Sequence, residues 1–317
     1  MYEEEFQAVH FPVMWQDVLR TVQENIPKSK GLRFLDGTGG EAGHVLKFAE
    51  AYPDSEILFL DRDPTMIQRA WSRLGDRKNI KSINCNYSEL AQSDLEDLGW
   101  RDGFDGILLD LGISTYHILE SGRGFSFKGT ENFDMRLDTN LNTKQVTAAE
   151  IVNTYPSKEL ERIFYEYGEE RWTKKIVERL LERRRTNPIE SNNDFSKLVE
   201  STIPRKFWPP KTHPATRVYQ AIRIEVNQEF QHLKKALVEL PKFLKPDGIF
   251  QIISFHSLED RIVKHSLREL VMSNKEFSFI YKKPLLPSEE EMKLNPASRS
   301  AKLRAIQRST DTRNKRY

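Results

Sequence analysis

A single cysteine, Cys85, stands in the 317 residues, so neither an internal disulfide nor a cysteine-based zinc site can form. No apolar stretch approaches the ~20 residues that a membrane span requires. The opening MYEEEFQAVHF is acidic where a secretory signal is basic, which argues against export. A cytoplasmic protein with no membrane partner and no metal is the expectation. Repeats and low-complexity segments are also lacking, and neither sign of charge dominates, with 49 Lys and Arg against 47 Asp and Glu. What is present is a globular composition, 38% hydrophobic and 30% charged, long enough for one large domain or two ordinary ones.

The balanced charge is unevenly distributed. Arg183–Arg185 form a run, and PRKFWPPK at 204–211 mixes Arg205, Lys206 and Lys211 with Phe207 and Trp208. Towards the C-terminus Lys293, Arg299, Lys302, Arg304, Arg308, Arg313, Lys315 and Arg316 face a single acid, Asp311. Cations interleaved with aromatics suit a phosphate backbone carrying stackable bases, so nucleic acid is the expected partner.

Through the first third, apolar runs alternate with helical patterns. RFLD (33–36), EILFLD (56–61), NIKSINCNY (79–87) and DGILLDLG (105–112) read as strands, separated by helical spacing at 43–52 and from Pro64 to Leu74. Short unbroken apolar strands between helices imply a parallel sheet buried on both faces. Ligands of such sheets bind beyond the carboxyl ends of the strands. Those ends are Asp36, Asp61, Asn86-Tyr87 and Asp110.

The next strand, GIFQIISF (248–255), follows a helical stretch at 225–244 and a KPDG turn, and 139 positions separate Asp110 from Ile249. A crossover helix with its loops takes only about 30 residues, and the excess is too long for a bare loop. It carries helix patterns of its own: TAAEIVNTY with Thr147 and Glu150 at capping-box spacing, SKELERIFYEYG, EERWTKKIVERLLERRR and NNDFSKLVESTIP. The expected organisation is a mostly parallel α/β sheet domain, 1–115 and 216–317, interrupted by an all-helical domain at 116–215.

The first strand runs into a glycine turn, LDGTGGEAGH, and Asp61 lies 21 residues beyond Gly40. A carboxylate at that distance is placed to bind ribose hydroxyls, in NAD or in S-adenosylmethionine alike. A pyrophosphate requires G-x-G-x-x-G facing a helix N-terminus. Here Glu41 occupies the turn, where its charge repels phosphate but tolerates a zwitterionic methionine moiety, and the sulfonium cofactor is favoured.

The quoted blocks, together with HFPVMWQDVL, LDRDP, GRGFSF, DMRLD, YGEERW, KTHPATRVYQAIRIEVN, ISFHSLEDRIVK, PSEEE and NPASRSAKLR, make the chain resemble, nearly end to end, the ribosomal RNA small subunit methyltransferase H family. The resemblance implies a class I (Rossmann-like) methyltransferase domain with an inserted helical domain. It also implies S-adenosylmethionine as cofactor and N4 of a cytidine in the decoding region of small-subunit ribosomal RNA as target. The partner is then that RNA or the small ribosomal subunit, with the enzyme a monomer or homodimer. Carried over by position, the cofactor residues are Ala42, Gly43, His44, Asp61, Tyr87, Asp110 and His117. The family commonly has glycine in place of Ala42, glutamine in place of His117, and a richer glycine run in place of Gly40-Glu41. Alanine permits close approach of a ligand if its φ is negative.

N4 of cytosine is a poor nucleophile because its lone pair is delocalised into the ring. An acceptor for the amino hydrogens localises that pair as attack begins. DLGIS offers the Asp110 carboxylate and the Ser114 hydroxyl as catalytic candidates, with Asp134, Arg136 and His256 behind them. A base stacked in folded RNA must be exposed before reaction, and Arg205, Lys206, Trp208 and Lys211 of the insert are the candidates for holding it, with Lys302, Arg304 and Arg308 adding phosphate contacts. Two other readings keep their place: a non-catalytic RNA-binding or assembly protein on a degenerate methyltransferase fold, and a nicotinamide-dependent oxidoreductase. A DNA amino-methyltransferase typically has a proline-rich motif where ISTYH stands.

Overall fold

The computed structural model describes residues 12–28, 30–139 and 145–309. Seven strands form one sheet: β1 (Arg33–Asp36), β2 (Glu56–Leu60), β3 (Ile80–Ile83), β4 (Phe104–Asp110), β5 (Leu244–Ser254), β6 (Phe277–Phe279) and β7 (Lys302–Arg308). Their order is β3-β2-β1-β4-β5-β7-β6. The first five are mutually parallel and β7 runs antiparallel to both its neighbours. This is the mostly parallel α/β sheet of a class I, Rossmann-like methyltransferase domain. Among the described residues no helix is long and apolar enough to cross a membrane.

Alternation along each strand decides which layer covers which face. Phe34, Phe59 and Leu108 pack with Val18, Val22, Val45, Phe48 and Ala70 from the helices Trp15–Asn25, Gly43–Ala51 and Pro64–Leu74. Their neighbours Leu35, Leu58, Leu60 and Leu109 pack with Leu233, Leu237, Val263 and Leu267 from the helices Glu229–Glu239 and Ser257–Ser273. With both faces covered, the strands have no solvated side, and hence their unbroken apolar sequences.

Two compact units emerge, one from Met1–Gly112 with His232–Tyr317 and the other from Ile113–Gln231. The second therefore extends beyond 116–215. The helix Thr216–Asn227 belongs to it because Val218, Tyr219, Ala221, Ile222 and Val226 are built into its core. Within that core Phe133 and Tyr219 flank Phe195, at centroid distances of 5.3 and 5.8 Å. The Thr147–Glu150 capping box forms as the spacing predicts, Glu150 N donating to Thr147 Oγ1 at 3.1 Å and Thr147 N to Glu150 Oε2 at 2.7 Å.

Two readings of the C-terminal half are corrected. KPDG is not a turn before a strand but part of β5, with Asp247 at φ 64° and a register irregularity opposite Phe104–Gly106. Nor is the basic C-terminal stretch a free tail up to Arg308. KLRAIQR is β7, burying Leu303, Ala305 and Ile306. Lys302 and Arg304 both pair with Asp260, at 3.1 and 2.7 Å, and Arg308 pairs with Glu276 at 3.0 Å. Arg313, Lys315 and Arg316 lie outside the described residues.

Candidate active site

The glycine turn is stitched over the strands on either side of β1. Gly37 N donates to Leu108 O at 2.9 Å and Gly39 N to Leu60 O at 2.7 Å. A Cβ at Gly37 would stand 2.5 Å from Leu109 Cδ2, and one at Gly39 2.5 Å from Phe59 Cδ2. Bare backbone is needed at these two positions to seat the turn on its own sheet, before any ligand is considered. Thr38 then links two strand ends: its Oγ1 donates to Asp36 Oδ1 at 3.1 Å and accepts from Asp110 N at 2.7 Å.

Ala42 does not have the negative φ expected of an alanine in contact with a ligand. It sits buried in the left-handed region at φ 63°, ψ 27°, a conformation that costs alanine about 1 kcal/mol relative to glycine. Its amide donates to Gly39 O at 2.7 Å, while Gly40 N donates to Asp61 Oδ2 at 2.9 Å. These two amides are therefore already engaged. The first-turn amides of the helix Gly43–Ala51, from Gly43 onward, have no intrahelical acceptor. Glu41 is held by Arg69, whose Nε donates to Glu41 Oε1 at 2.7 Å. With its charge matched in this way, Glu41 is a weaker obstacle to phosphate than its sequence position implies.

In that first helical turn His44 is buried, with Nε2 3.3 Å from Asp110 Oδ2 at the end of β4. Asp36 Oδ2 and Asp110 Oδ1 are buried and have no hydrogen-bond partner among the described residues, and the buried His44 Nε2 has only its contact with Asp110 Oδ2. Polar atoms buried without partners are rare and costly, and where several collect they mark a place shaped for something else. Glu291 joins them electrically; it lies in the helix Glu289–Leu294, and its Oε1 accepts from Met14 N at 2.5 Å. Burial opposes a charged His44, but Asp110, Asp36 and Glu291 outweigh it and raise the imidazole's pKa above its usual value. Burial likewise raises the Asp36 carboxyl against the pull of His44, and burial raises Glu291. The result is one imidazole, biased towards its charged form, among three acids.

Asp61 follows β2, its Oδ1 accepting from Asp63 N at 2.9 Å as its Oδ2 does from Gly40, so the carboxylate is fixed beside the glycine turn. Tyr87 stands in the turn after β3, partly buried, with its Cβ 3.1 Å from the Cβ position of Gly37. Asp36, His44, Asp61, Tyr87 and Asp110 are thus gathered at the carboxyl ends of β1 to β4 in one unit. Ser114 and His117 belong to the other unit and meet each other. Ser114 precedes the helix Thr115–Leu119, with its Oγ 3.1 Å from His117 Nδ1.

Asp134 and Arg136 form a two-pronged pair with each other, both contacts at 2.7 Å. His256 caps the helix Ser257–Ser273, accepting from Glu259 N at 3.3 Å. These geometries are structural. Arg205, Lys206 and Lys211 are exposed on the helical unit, and Trp208 is partly buried with Nε1 donating to Ile203 O at 2.8 Å. Sequence reasoning missed two members of the polar cluster. Asp36 had a signal, an acid closing a buried apolar strand. Glu291, among three consecutive acids after Ser288, reads simply as a helix first turn.

Residues 7–309 match the model of the MraW methylase family. A relative from Leptospira borgpetersenii serovar Hardjo-bovis, named ribosomal RNA small subunit methyltransferase H, is 50% identical over 98% of this chain and 97% of its own. Relatives of the same name from Leptospira biflexa and Kosmotoga olearia are 42% and 40% identical, over 98% and 96% of this chain and 99% of theirs. With a family match and relatives that both run nearly end to end, the chain belongs to the MraW methylase family.

Proposed function

We propose that this protein methylates N4 of a cytidine in the decoding region of small-subunit ribosomal RNA, with S-adenosylmethionine as the methyl donor. The names of its relatives support the RNA. The observation that carries the chemistry is the pair of buried, unpartnered carboxylate oxygens of Asp36 and Asp110 at the ends of β1 and β4, with the buried His44 imidazole 3.3 Å from Asp110.

This donor set fits the cofactor. The Asp61 carboxylate, steadied by two backbone amides, retains lone pairs for ribose hydroxyls. Tyr87 offers a ring at the same strand ends, and the first-turn amides from Gly43 onward suit the methionine carboxylate. When bound, S-adenosylmethionine supplies a methyl group on a positively charged sulfur.

Asp110 would accept a hydrogen bond from the amino group of the target, localising its lone pair, and would take up the proton that N4 loses as the N–C bond replaces the sulfur–methyl bond. His44, with Nε2 3.3 Å from Asp110 Oδ2, holds one carboxylate oxygen and leaves Oδ1 for the target amine. His117, the other residue matched to the cofactor set, lies in the helical unit with its Nδ1 turned to Ser114. In this role Ser114 orders its own helix end, and Asp110 is the better catalytic candidate.

The oxidoreductase reading is separated by calorimetry with the two ligands. S-adenosylmethionine binds with measurable heat and NADH does not. Binding of NADH in place of S-adenosylmethionine overturns the proposal, and binding of neither favours a protein that has kept the fold without the chemistry.

A further inference from the structure

The helical unit carries an exposed group of rings and cations. Trp172 opens the helix Thr173–Thr186, and the short 3-10 turn Arg205–Phe207 brings Phe207 beside it, ring centroids 5.2 Å apart at 47°. Phe207 is 53% exposed, unusual for a phenylalanine against a packed domain. Three cations lie over these rings: Lys175 on Trp172 at 5.1 Å, Lys206 on Phe207 at 5.0 Å and Arg205 on Trp208 at 5.8 Å. Pro204, Pro209 and Pro210 bracket the turn, and Trp208 Nε1 is tied to Ile203 O, so little freedom remains to be lost on binding.

The charge environment distinguishes this group from the other cation–ring pairs among the described residues except Lys81 on Trp100. Lys47 on Trp15 also holds Glu50 at 2.7 Å, and Arg162 on Tyr167 holds Glu159 at 2.9 Å. Arg33 shares Trp100 with Lys81 and holds Glu56 at 2.8 Å. Lys175, Arg205 and Lys206 have no carboxylate partner among the described residues. Uncompensated cations beside the exposed ring of Phe207 and the partly buried rings of Trp172 and Trp208 complement a ligand that is anionic and flat-faced at once.

The geometry points to a stacking platform for unpaired RNA, in which Trp172 and Phe207 receive bases and Lys175, Lys206 and Arg205 hold the adjoining phosphates. Single strands are specified over duplex because only unpaired bases offer their faces, whereas the grooves of A-form RNA admit no ring. The inference rests on the RNA reading above and sharpens it. The strand held here is unpaired.

The test uses the full chain with a short unstructured oligoribonucleotide, the same oligonucleotide annealed to its complement, and a poly-glutamate peptide, all read by fluorescence anisotropy. The single strand binds tightest. Phe207→Ala weakens it about 5- to 150-fold, the loss of one stacked base, without changing the salt dependence. Phe207→Leu, which keeps apolar bulk but has no ring, does not restore binding. Lys175→Gln and Lys206→Gln each flatten the slope of log affinity against log salt by about 0.7. Unchanged affinity in Phe207→Ala, a preference for duplex, or equal binding of poly-glutamate overturns the platform. Methylation of ribosomal RNA by the unaltered protein is scored separately, so a failed platform is distinguishable from a failed RNA reading.

Discussion

Asp110→Ala lowers the turnover of methyl transfer by about 10²- to 10³-fold, the loss measured when one preorganised transition-state partner is removed from an active site. The fold survives the change. What ties β4 to the glycine turn is the backbone of residue 110, whose N–H donates to Thr38 Oγ1 at 2.7 Å, and not its side chain. That side chain is 21% exposed and faces His44 at 3.3 Å, so its removal also relieves crowding among the acids. Turnover at saturating cofactor separates catalysis from binding, because Asp110 is also a candidate for the cofactor set. Asp110→Asn keeps an acceptor oxygen without the charge and falls between the two. Near-normal turnover by the alanine variant removes Asp110 from the chemistry.

The second large effect is on stability. His44→Ala takes away the cation among Asp36, Asp110 and Glu291 and leaves like charges in a buried site. Removing one partner of a buried ion pair costs about 3 kcal/mol, at the lower end of the range because Asp110 is partly exposed and Asp36 can take up a proton. The pH dependence follows from the direction of the His44 shift. Its folded pKa is raised above that of the unfolded chain, about 6.5, so its contribution is complete below that pH and is lost as pH rises through the folded value. Thermal unfolding of the cofactor-free protein therefore moves to lower temperature as pH climbs from about 6.5, and His44→Gln lacks that segment of the curve. Parallel curves for the two proteins place the titration elsewhere.

Much of the sheet domain is legible in the sequence because β1, β2 and β4 are buried on both faces, and such strands read as unbroken apolar runs closed by an acid or a turn. The inserted unit is legible through length alone, since 139 positions cannot lie between adjacent strands as loop. Its end is not, because the helix Thr216–Asn227 has the same amphipathic spacing whichever core it joins. β7 escapes for a different reason. In KLRAIQR the cations alternate with Leu303, Ala305 and Ile306, and only Asp260 and Glu276, more than thirty positions upstream, reveal that those charges are matched. At the site, Asp61, His44 and Asp110 are found from the glycine turn, strand ends and family motifs. Glu291 is not, because its relation to Met14 spans 277 positions and no local pattern carries it.

The account stands most directly on the modified nucleosides of small-subunit ribosomal RNA from cells with and without this gene. Mass-spectrometric mapping is expected to find N4-methylation at one decoding-region cytidine, absent in the deletion strain, restored by the unaltered gene and not by Asp110→Ala. An identical set of methylated cytidines in both strains would contradict the proposed activity, and its loss at a position outside the decoding region would contradict the proposed target.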